Sequence, residues 1–291
     1  MPIRAYSGRP ASYEQISGPF CTITRPLHQN GPELHGFNSY KVSVNLIDPI
    51  YNTNVKSLDT LELDAAFVCV PTPFGKDGKI DSSIVEEVVT ELTPRGCPII
   101  IKSTVTPDVL EKLWRKNKMI VYNPEFLTEK NALDDFINPP MHVFGGSSEI
   151  TKQVEKIYEK FSRCKPCPVF HMSIKEASFV KYGINSFLAT KVLWFNQFKD
   201  LIDQNKSDYD NIIKAIGTDS RIGFSHTQVP GPDNKIGFGG ACFPKDTQAF
   251  SSFAKNKFTV LNKVIEENNK YRSQYELDDR EKEQKVVYIN P

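Results

Sequence analysis

Between residues 40 and 171, apolar stretches of strand length alternate with amphipathic stretches of helix length. The segment 64–70 is mostly apolar and is followed by Pro71, which is typical of a strand covered on both faces. The same reasoning predicts strands at 41–47, 98–102, 119–122, 142–144 and 168–171, and helices at 84–92, 107–118 and 149–161. This alternation with short connections predicts right-handed βαβ units around a parallel sheet.

The pattern changes after Ser173. The segment 174–202 contains no Pro, one internal Gly183 and a wide apolar surface, so it predicts one long helix that packs on more than one partner. A second copy of this helix is the expected partner, which predicts a homodimer. Shorter helices are predicted at 209–216, 245–253 and 259–271. We therefore predict an α/β domain at 1–172 with an atypical segment at 1–40, an all-helical central domain at 173–272, and a charged, solvated tail at 273–291.

Composition excludes several classes of function. The 291 residues include 36 Lys plus Arg and 35 Asp plus Glu, and this net charge of +1 does not favour nucleic acid or an anionic membrane as a partner. No apolar run approaches the ~20 residues of a membrane span, and the first residues lack the apolar core of a signal peptide. Six cysteines are too few for a disulfide scaffold in a chain of this length, so we expect a reduced, cytoplasmic protein.

Cys164 and Cys167 form a CxxC pair, the best candidate for a metal site. No second pair or nearby histidine completes four ligands, and none of the five scattered histidines has HExxH spacing. The simpler interpretation is that the two cysteines flank the start of a strand. We predict no metal.

The stretch Gly237–Thr247 (GFGGACFPKDT) carries the strongest chemical signal. Its glycines allow the backbone to approach a ligand closely, because no Cβ is in the way. Pro244 suits the first turn of a helix, whose positive end would favour a thiolate at Cys242. A lone cysteine is more often an inert small apolar residue. The glycines before it and Lys245–Asp246 after it favour a nucleophile instead.

Polar residues follow several of the predicted strands, and ligands bind at the carboxyl ends of strands in an open parallel sheet. Thr72, Thr104 and the segment Asn123–Glu129 lie at such ends. Asp48 ends the earliest strand, where an acidic residue holds the ribose hydroxyls of a dinucleotide in such folds. Each one alone is also explained as an ordinary capping residue. Their joint occurrence favours a site.

Lys181 and Asn185 lie four residues apart in the predicted long helix and therefore share one of its faces. An exposed polar strip is the simpler interpretation. The helix is so apolar that little of its surface remains for solvent, which favours a role for the pair at a site.

These motifs together resemble the UDP-glucose/GDP-mannose dehydrogenase family, and within it the UDP-glucose 6-dehydrogenases. The matching segments occur in family order and are VCVPTP (Val68–Pro73), IKSTVTP (Ile101–Pro107), NPEFLTE (Asn123–Glu129), KYGINSFLATK (Lys181–Lys191) and GFGGACFPKDT (Gly237–Thr247). The last of them is the most specific. The resemblance implies a Rossmann-like NAD-binding domain followed by a helical central domain through which two chains dimerise.

The resemblance also implies a reaction, the four-electron oxidation of the primary alcohol of UDP-glucose to the carboxylate of UDP-glucuronate with two NAD. By that resemblance Cys242 captures the aldehyde as a thiohemiacetal, a second hydride transfer gives a thioester, and water hydrolyses the thioester. Lys181 and Asn185 would stabilise the oxyanion, and Lys181 is also available for proton transfer.

The remaining site residues are implied in the same way. Glu125 would act as a base in hydrolysis, with Thr104 and Asp246 positioning the water. The residues implied for the dinucleotide site are Thr72, Thr104, Glu129 and Lys245, besides Asp48. Those implied for the sugar-nucleotide site are Phe126, Leu127, Glu129, Lys181, Asn185, Phe238, Gly239 and Arg221, the last offered to the partner subunit.

Two departures from the family pattern leave alternatives open. The family opens with a strand and a GxGxxG turn that binds pyrophosphate, and no such spacing occurs in residues 1–40. Family members also continue beyond the position of Pro291 into another nucleotide-binding domain. The alternatives are a GDP-mannose 6-dehydrogenase, which the segment Asn138–Met141 also suits, and a non-catalytic remnant that binds sugar nucleotides or dimerises. The presence of all the candidate catalytic residues favours the enzyme.

Overall fold

The computed structural model of the protein describes residues 20–24, 43–48, 53–75, 78–127, 131–255 and 257–289. The chain divides into two compact units, one comprising Met1–Thr72 with Ser82–Lys181 and the other Pro73–Asp81 with Tyr182–Pro291. The domain boundary between 172 and 173 stays a prediction. The division lies inside a long helix, because Ile174 and Ala177 at the start of that helix are buried in the core of the first unit.

The first unit is an α/β unit whose elements lie close to the predicted positions. Its strands are β1 (Phe20–Thr24), β2 (Ser43–Ile47), β3 (Ala65–Val68), β4 (Ile99–Ile101), β5 (Ile120–Tyr122), β6 (His142–Gly145) and β7 (Val169–Met172). Its helices are α1 (Ser83–Leu92), α2 (Pro107–Lys116), α3 (Ala132–Ile137), α4 (Ser148–Phe161) and the beginning of α5 (Ile174–Gln204). No prediction covered β1 or α3.

The seven strands form one sheet in the order β2-β1-β3-β4-β5-β6-β7. The strands β3, β4 and β5 are parallel, as are β6 and β7. In contrast, β1 is antiparallel to both of its neighbours, and β5 is antiparallel to β6. The predicted α/β class is confirmed. The prediction of a wholly parallel sheet is wrong at these three pairs, because an apolar run indicates that a strand is buried and not which direction it takes.

The antiparallel position of β1 fixes the direction of β2. Phe20 of β1 pairs with Ile47, the last residue of β2, and also with Val68, the last residue of β3. Both strands therefore end at the same edge of the sheet. Asp48 lies at this edge, next along the chain from Ile47.

Helices cover both faces of the central strands. Ile99 and Ile101 of β4 pack in one core cluster with Val89 of α1. Ile100, between them, packs in a second cluster with Val154 of α4. Successive side chains of a strand point to opposite faces, so a strand covered on both faces needs an apolar residue at every position.

The helix α5 is the longest in the described residues, at 31 residues. Ala189, Leu193 and other side chains of its inner face are buried, whereas Phe187 and Trp194 are 69% and 53% exposed. The described residues include no helix that combines the length and apolar character needed to cross a membrane.

The second unit is built from helices. Besides the remainder of α5, its helices are α6 (Tyr209–Thr218), α7 (Phe243–Phe253), α8 (Thr259–Arg272) and α9 (Asp279–Glu283). The rings of Tyr182 and Phe250 stack with their centroids 5.2 Å apart in one of its core clusters. Phe238 packs with Leu193 and Val264 in another.

The segment that follows α8 is not the solvated tail that its charge predicted. Asp278 caps α9 by accepting the Glu281 N–H at 2.9 Å, and Glu281 itself is fully buried. Val286 is also buried. The Glu281 carboxylate can be buried because the guanidinium of Arg272 lies 2.7 Å from it. Composition alone does not reveal this pairing.

Candidate active site

Strand ends bring two charged residues of the first unit together. Lys102 follows β4 and Glu125 follows β5, and these strands are parallel neighbours. Lys102 Nζ lies 2.7 Å from Glu125 Oε1, and both side chains are largely buried. Lys181 of α5 donates from its Nζ to the Glu125 carbonyl at 2.6 Å. The predicted base Glu125 is thus held through both its carboxylate and its backbone.

The Lys102 ammonium, to which sequence reasoning assigned no role, is the centre of a buried polar network. It donates to Asn123 Oδ1 at 2.6 Å and to Tyr158 OH at 3.2 Å, and that hydroxyl donates to the same Asn123 oxygen at 2.7 Å. Burial alone would lower the pKa of Lys102, but the charge of Glu125 outweighs it and raises the pKa. The network therefore holds a fixed positive charge against Glu125. The available signal was a lysine directly after an unbroken apolar strand.

His142 of β6 faces the same network. Its ring centroid lies 4.8 Å from that of Tyr158. Burial, and then the charge of Lys102, lower the pKa of His142 to about 4. The imidazole is therefore neutral at pH 7, and Lys102 remains the cation that faces the Glu125 carboxylate.

An open cavity adjoins this network. Its walls include Lys102, Glu125 and His142. Phe126 and Leu127, which were predicted to line the substrate site, line the same cavity. Part of the predicted site is thus assembled within the first unit.

The predicted dinucleotide contacts occupy strand ends of the first unit. Thr72 beyond β3 is buried, and Thr104 beyond β4 is half-buried. Asp48 is half-buried, and its N–H donates to Thr53 Oγ1 at 2.9 Å. A carboxylate at the end of β2 and hydroxyls beyond β3 and β4 fit the ribose and phosphate groups of NAD. Glu129 lies outside the described residues, as does the segment 25–42.

The CxxC pair shows no sign of metal ligation in the described part of the chain. The Cys164 thiol donates to the Phe136 carbonyl at 3.1 Å. The described residues include no group of three or more His, Cys, Asp or Glu placed to hold a metal ion. The absence of a metal stays a prediction.

Cys242 lies at the N-cap of α7, which begins at Phe243, earlier than the predicted start at Lys245. Pro244 lies in the first turn, and the Asp246 N–H donates to the Cys242 carbonyl at 2.9 Å. The cysteine is thus placed at the start of a helix, as predicted, beside N–H groups that a helix leaves unpaired. Such a position favours a thiolate.

Asp246 joins two of the other predicted site residues in the second unit. It accepts hydrogen bonds from Asn185 Nδ2 and Lys245 Nζ, both at 2.6 Å. All three side chains are buried. Burial opposes ionisation of Lys245, but the charges of Asp246 and Cys242 raise its pKa. The result is an ion pair with an amide donor, fixed within the first turn after Cys242.

Three predicted substrate contacts of the second unit lie in different surroundings. The Phe238 ring is buried in a core cluster. Gly239 lies against Arg272, as described below. The Arg221 side chain is 87% exposed and pairs with Asp219 at 2.6 Å, so it does not join the Asn185–Asp246–Lys245 cluster.

Two models of one protein family match the chain. Residues 50–162 match the NAD binding domain of the UDP-glucose/GDP-mannose dehydrogenase family, and residues 175–270 match the central domain of that family. Together the two matched segments cover most of the described residues.

Individual relatives agree with the family models. A UDP-glucose 6-dehydrogenase of Rickettsia bellii is 35% identical over 231 residues, which are 75% of this chain and 51% of that protein. The chain thus spans about half the length of the curated relatives it matches.

Solved structures have the same Rossmann-like dehydrogenase fold. A UDP-glucose dehydrogenase from Pyrobaculum islandicum is 30% identical with a TM-score of 0.64, covering 74% of this chain and 52% of its own. A GDP-mannose dehydrogenase from Pseudomonas aeruginosa, in a ternary complex, is 25% identical with a TM-score of 0.50, covering 72% of this chain and 51% of its own.

Proposed function

The chain belongs to the UDP-glucose/GDP-mannose dehydrogenase family, and on that premise we propose that it oxidises UDP-glucose to UDP-glucuronate with two NAD. The observation that carries this proposal is Cys242 at the start of α7, with the buried Lys245–Asp246 ion pair in the turn that follows and Asn185 of α5 bonded to Asp246. A nucleophilic thiolate is what an aldehyde intermediate requires.

The proposed reaction passes through covalent intermediates on Cys242. The alcohol first loses a hydride and a proton to give the aldehyde. The Cys242 thiolate adds to the aldehyde carbon, and the resulting thiohemiacetal loses a second hydride to give a thioester. Water then displaces the thiolate and leaves the carboxylate. The hydride of each oxidation step goes to one NAD, which supplies the electron acceptor when bound.

The two groups of residues would have different tasks in this reaction. In the first unit, Glu125 would accept a proton from the hydrolytic water, with Thr104 helping to position it, and Lys102 would keep the carboxylate in place. Lys181 and Asn185 would stabilise the negative oxygen of the covalent intermediates, since an ammonium and an amide N–H are suitable donors. Asp246 would orient Asn185 through the hydrogen bond that joins them.

Binding of the substrates is proposed from the family. NAD would contact Asp48, Thr72 and Thr104 at the strand ends, with Glu129 and Lys245. The sugar nucleotide would lie against Phe126, Leu127 and the backbone of Phe238–Gly239. A backbone contact is specified there because the Phe238 ring is buried.

The protein is proposed to act as a homodimer in the cytoplasm. Exposed apolar residues on α5 support the first part of this proposal, because large apolar side chains are costly to leave in water. In such a dimer the exposed Arg221 would be offered to the substrate of the partner subunit. Cys97, Cys164 and Cys167 form no disulfide in the described residues, which supports a reducing compartment.

The decisive experiment follows NADH formation after the protein is mixed with UDP-glucose and NAD. Two NADH per UDP-glucuronate are expected. GDP-mannose is tested in parallel, because faster turnover of GDP-mannose would select the other branch of the family. Binding of UDP-glucose by calorimetry without any NADH would instead identify a non-catalytic binding protein.

A cysteine variant tests the covalent route. Cys242→Ser should block acid formation near the aldehyde stage, because an alkoxide forms less readily than a thiolate at neutral pH. Cys167→Ser, which changes a free cysteine of the first unit, serves as the matched control and should react like the wild type. Undiminished production of acid by Cys242→Ser would refute the thioester.

A further inference from the structure

The residues Gly237–Gly240, here called the glycine loop, precede Cys242 and are held by side chains from distant parts of the second unit. Asn196 Oδ1 of α5 accepts the Gly237 N–H at 2.9 Å. The Asn268 amide of α8 accepts the Phe238 N–H at 2.7 Å and donates to the Phe238 carbonyl at 3.0 Å. The first half of the loop is thus fixed by two helices.

The second half of the loop is fixed by Glu281 of α9. Glu281 Oε1 accepts the Gly240 N–H at 3.2 Å, and it also accepts from Arg272 Nη2 and Tyr288 OH, each at 2.7 Å. The other carboxylate oxygen accepts the Asp278 N–H at 2.9 Å. One buried carboxylate therefore joins the loop to α8, to the cap of α9 and to the residues after α9.

No side chain separates the glycine loop from this ion pair. A Cβ at Gly239 would overlap the Arg272 guanidinium and lie 2.6 Å from Glu281 Oε1. Arg272 is in turn fixed by Asp233, whose Oδ2 accepts from Nη1 at 2.8 Å. Any displacement of Glu281 is therefore transmitted directly to the backbone two residues before Cys242.

From these contacts we propose that Glu281 is a positioning residue that holds Cys242 at the start of α7 through the glycine loop. The proposal rests on the proposed role of Cys242 as the nucleophile, and it assigns a task in the reaction to the segment Asp278–Tyr288. Glu281 itself touches the loop and not the reacting atoms. On this proposal, Cys242 keeps its place at the N-cap of α7 only while the loop is held.

Other charged groups of the second unit lie close to the glycine loop or in the first turn after Cys242, and they have to stay unchanged in the test. Lys245 and Asp246 belong to α7 itself. Arg280 of α9 reaches the loop, since a Cβ at Gly240 would lie 3.9 Å from its Nη1. Tyr288→Phe leaves Lys245, Asp246 and Arg280 in place and removes one hydrogen bond to Glu281. It therefore perturbs the contacts of Glu281 with the smallest risk of misfolding.

The experiment measures alkylation of Cys242 by iodoacetamide over a range of pH in the full chain. Trypsin releases Cys242 in the peptide 236–245, which contains no other cysteine, so mass spectrometry reports its rate alone. The interaction of a thiolate with the positive end of a helix raises the thiolate fraction by up to about fivefold. Loss of that interaction in Glu281→Gln and Tyr288→Phe should therefore slow alkylation at neutral pH by at most about that factor. The pH of half-maximal rate should rise in both variants.

Two controls separate positioning from loss of structure. Asp279→Asn removes a carboxylate of the same short helix that is 95% exposed, and it should leave the alkylation profile unchanged. The peptide that carries Cys164 and Cys167 comes from the first unit and should react at the wild-type rate in every variant. Misfolding would instead speed its reaction.

The outcomes decide the proposal without reference to turnover, since alkylation requires neither a sugar nucleotide nor NAD. A rise in the pH of half-maximal rate supports it even if the protein oxidises no UDP-glucose. A wild-type profile in Tyr288→Phe and in a folded Glu281→Gln would overturn it. A rate lowered equally at every pH would also overturn it, because that result reports reduced access to the thiol and not a displaced thiol.

Discussion

The ammonium of Lys102 and the carboxylate of Glu125 form a buried pair whose two charges depend on each other. Lys102→Met should lower the free energy of unfolding by about 3 kcal/mol, because it leaves the Glu125 carboxylate without its cation. Glu125→Gln in the same chain should restore part of that loss. Urea denaturation of the four proteins of a double-mutant cycle should give a coupling of about 2 kcal/mol.

A surface pair of the same unit provides the matched comparison. Lys112 Nζ lies 2.8 Å from Glu86 Oε2, but the two side chains are 57% and 32% exposed. Solvent screens such a pair, so the corresponding cycle of Lys112→Met and Glu86→Gln should give less than about 1 kcal/mol. Equal coupling in the two cycles would contradict the buried network around Lys102.

The neutral imidazole of His142 makes stability depend on pH. Its pKa is lowered to about 4 in the folded protein by burial and then by Lys102, whereas an unfolded histidine titrates near its ordinary 6.5. Between those values the unfolded chain binds more protons, so the free energy of unfolding should fall as pH decreases from 7 to 4.

Replacement of His142 isolates this contribution. His142→Gln should flatten the fall in stability between pH 7 and 4 by about 2 kcal/mol, measured by urea denaturation at each pH. His226 keeps a smaller slope in the same direction, because burial, and then the charge of Lys191, lower its pKa as well. An unchanged slope in His142→Gln would show that its proton uptake does not differ between the two states.

At the residue scale, the sequence predicted candidate site residues better than it predicted the side chains to which they are hydrogen-bonded or ion-paired. Cys242 lies at a helix start and Asn185 meets Asp246, both consistent with the motifs. Lys102 and Tyr158 could not be found in the same way, because their contact joins the end of β4 to the last turn of α4. Contacts between residues so far apart in the chain leave no periodic signal.

Gly183 of α5 and Gly239 of the glycine loop differ in how much space an added side chain would have. Gly183 is exposed within α5, and a Cβ there would meet nothing within 4 Å. Gly183→Ala should therefore raise the free energy of unfolding by about 0.5–1 kcal/mol, since alanine is the better helix residue. Gly239→Ala should lower it by about 2 kcal/mol or more, because the added Cβ overlaps Arg272.

Urea denaturation of the two variants beside the wild type measures both changes. The identical chemical substitution makes each variant the control for the other. A Gly239→Ala protein as stable as the wild type would mean that the glycine loop can move away from the Arg272–Glu281 pair. The positioning role of Glu281 would then lose its structural basis.

At the element scale, helices and buried strands were predictable because their residues carry a repeating pattern. The predicted strand at 98–102 and helix at 174–202 correspond to β4 and α5 with small shifts at their ends. The direction of β1 and the packing of α9 were not predictable. Strand direction is set by pairing with β2 and β3, and α9 is buried through one ion pair rather than through an apolar face.

At the scale of the whole molecule, the exposed face of α5 is the feature that calls for a partner. Phe187, Trp194 and Leu201 recur at intervals of seven residues, so they lie on one face of the helix. Their side chains are 69%, 53% and 54% exposed. Burying each of them would contribute about 2 kcal/mol, which favours association of two such faces.

The proposed homodimer is tested by sedimentation velocity over a range of concentrations. The wild type should sediment as a dimer, and the double variant with Phe187→Ser and Trp194→Ser should sediment as a monomer, because it loses most of that apolar face. Val260→Ser on α8 changes a side chain that is 62% exposed and serves as the matched control. It should remain dimeric, since its position is on another helix. A monomeric wild type at every concentration, or equal dissociation of the control, would show that α5 is not the dimer interface.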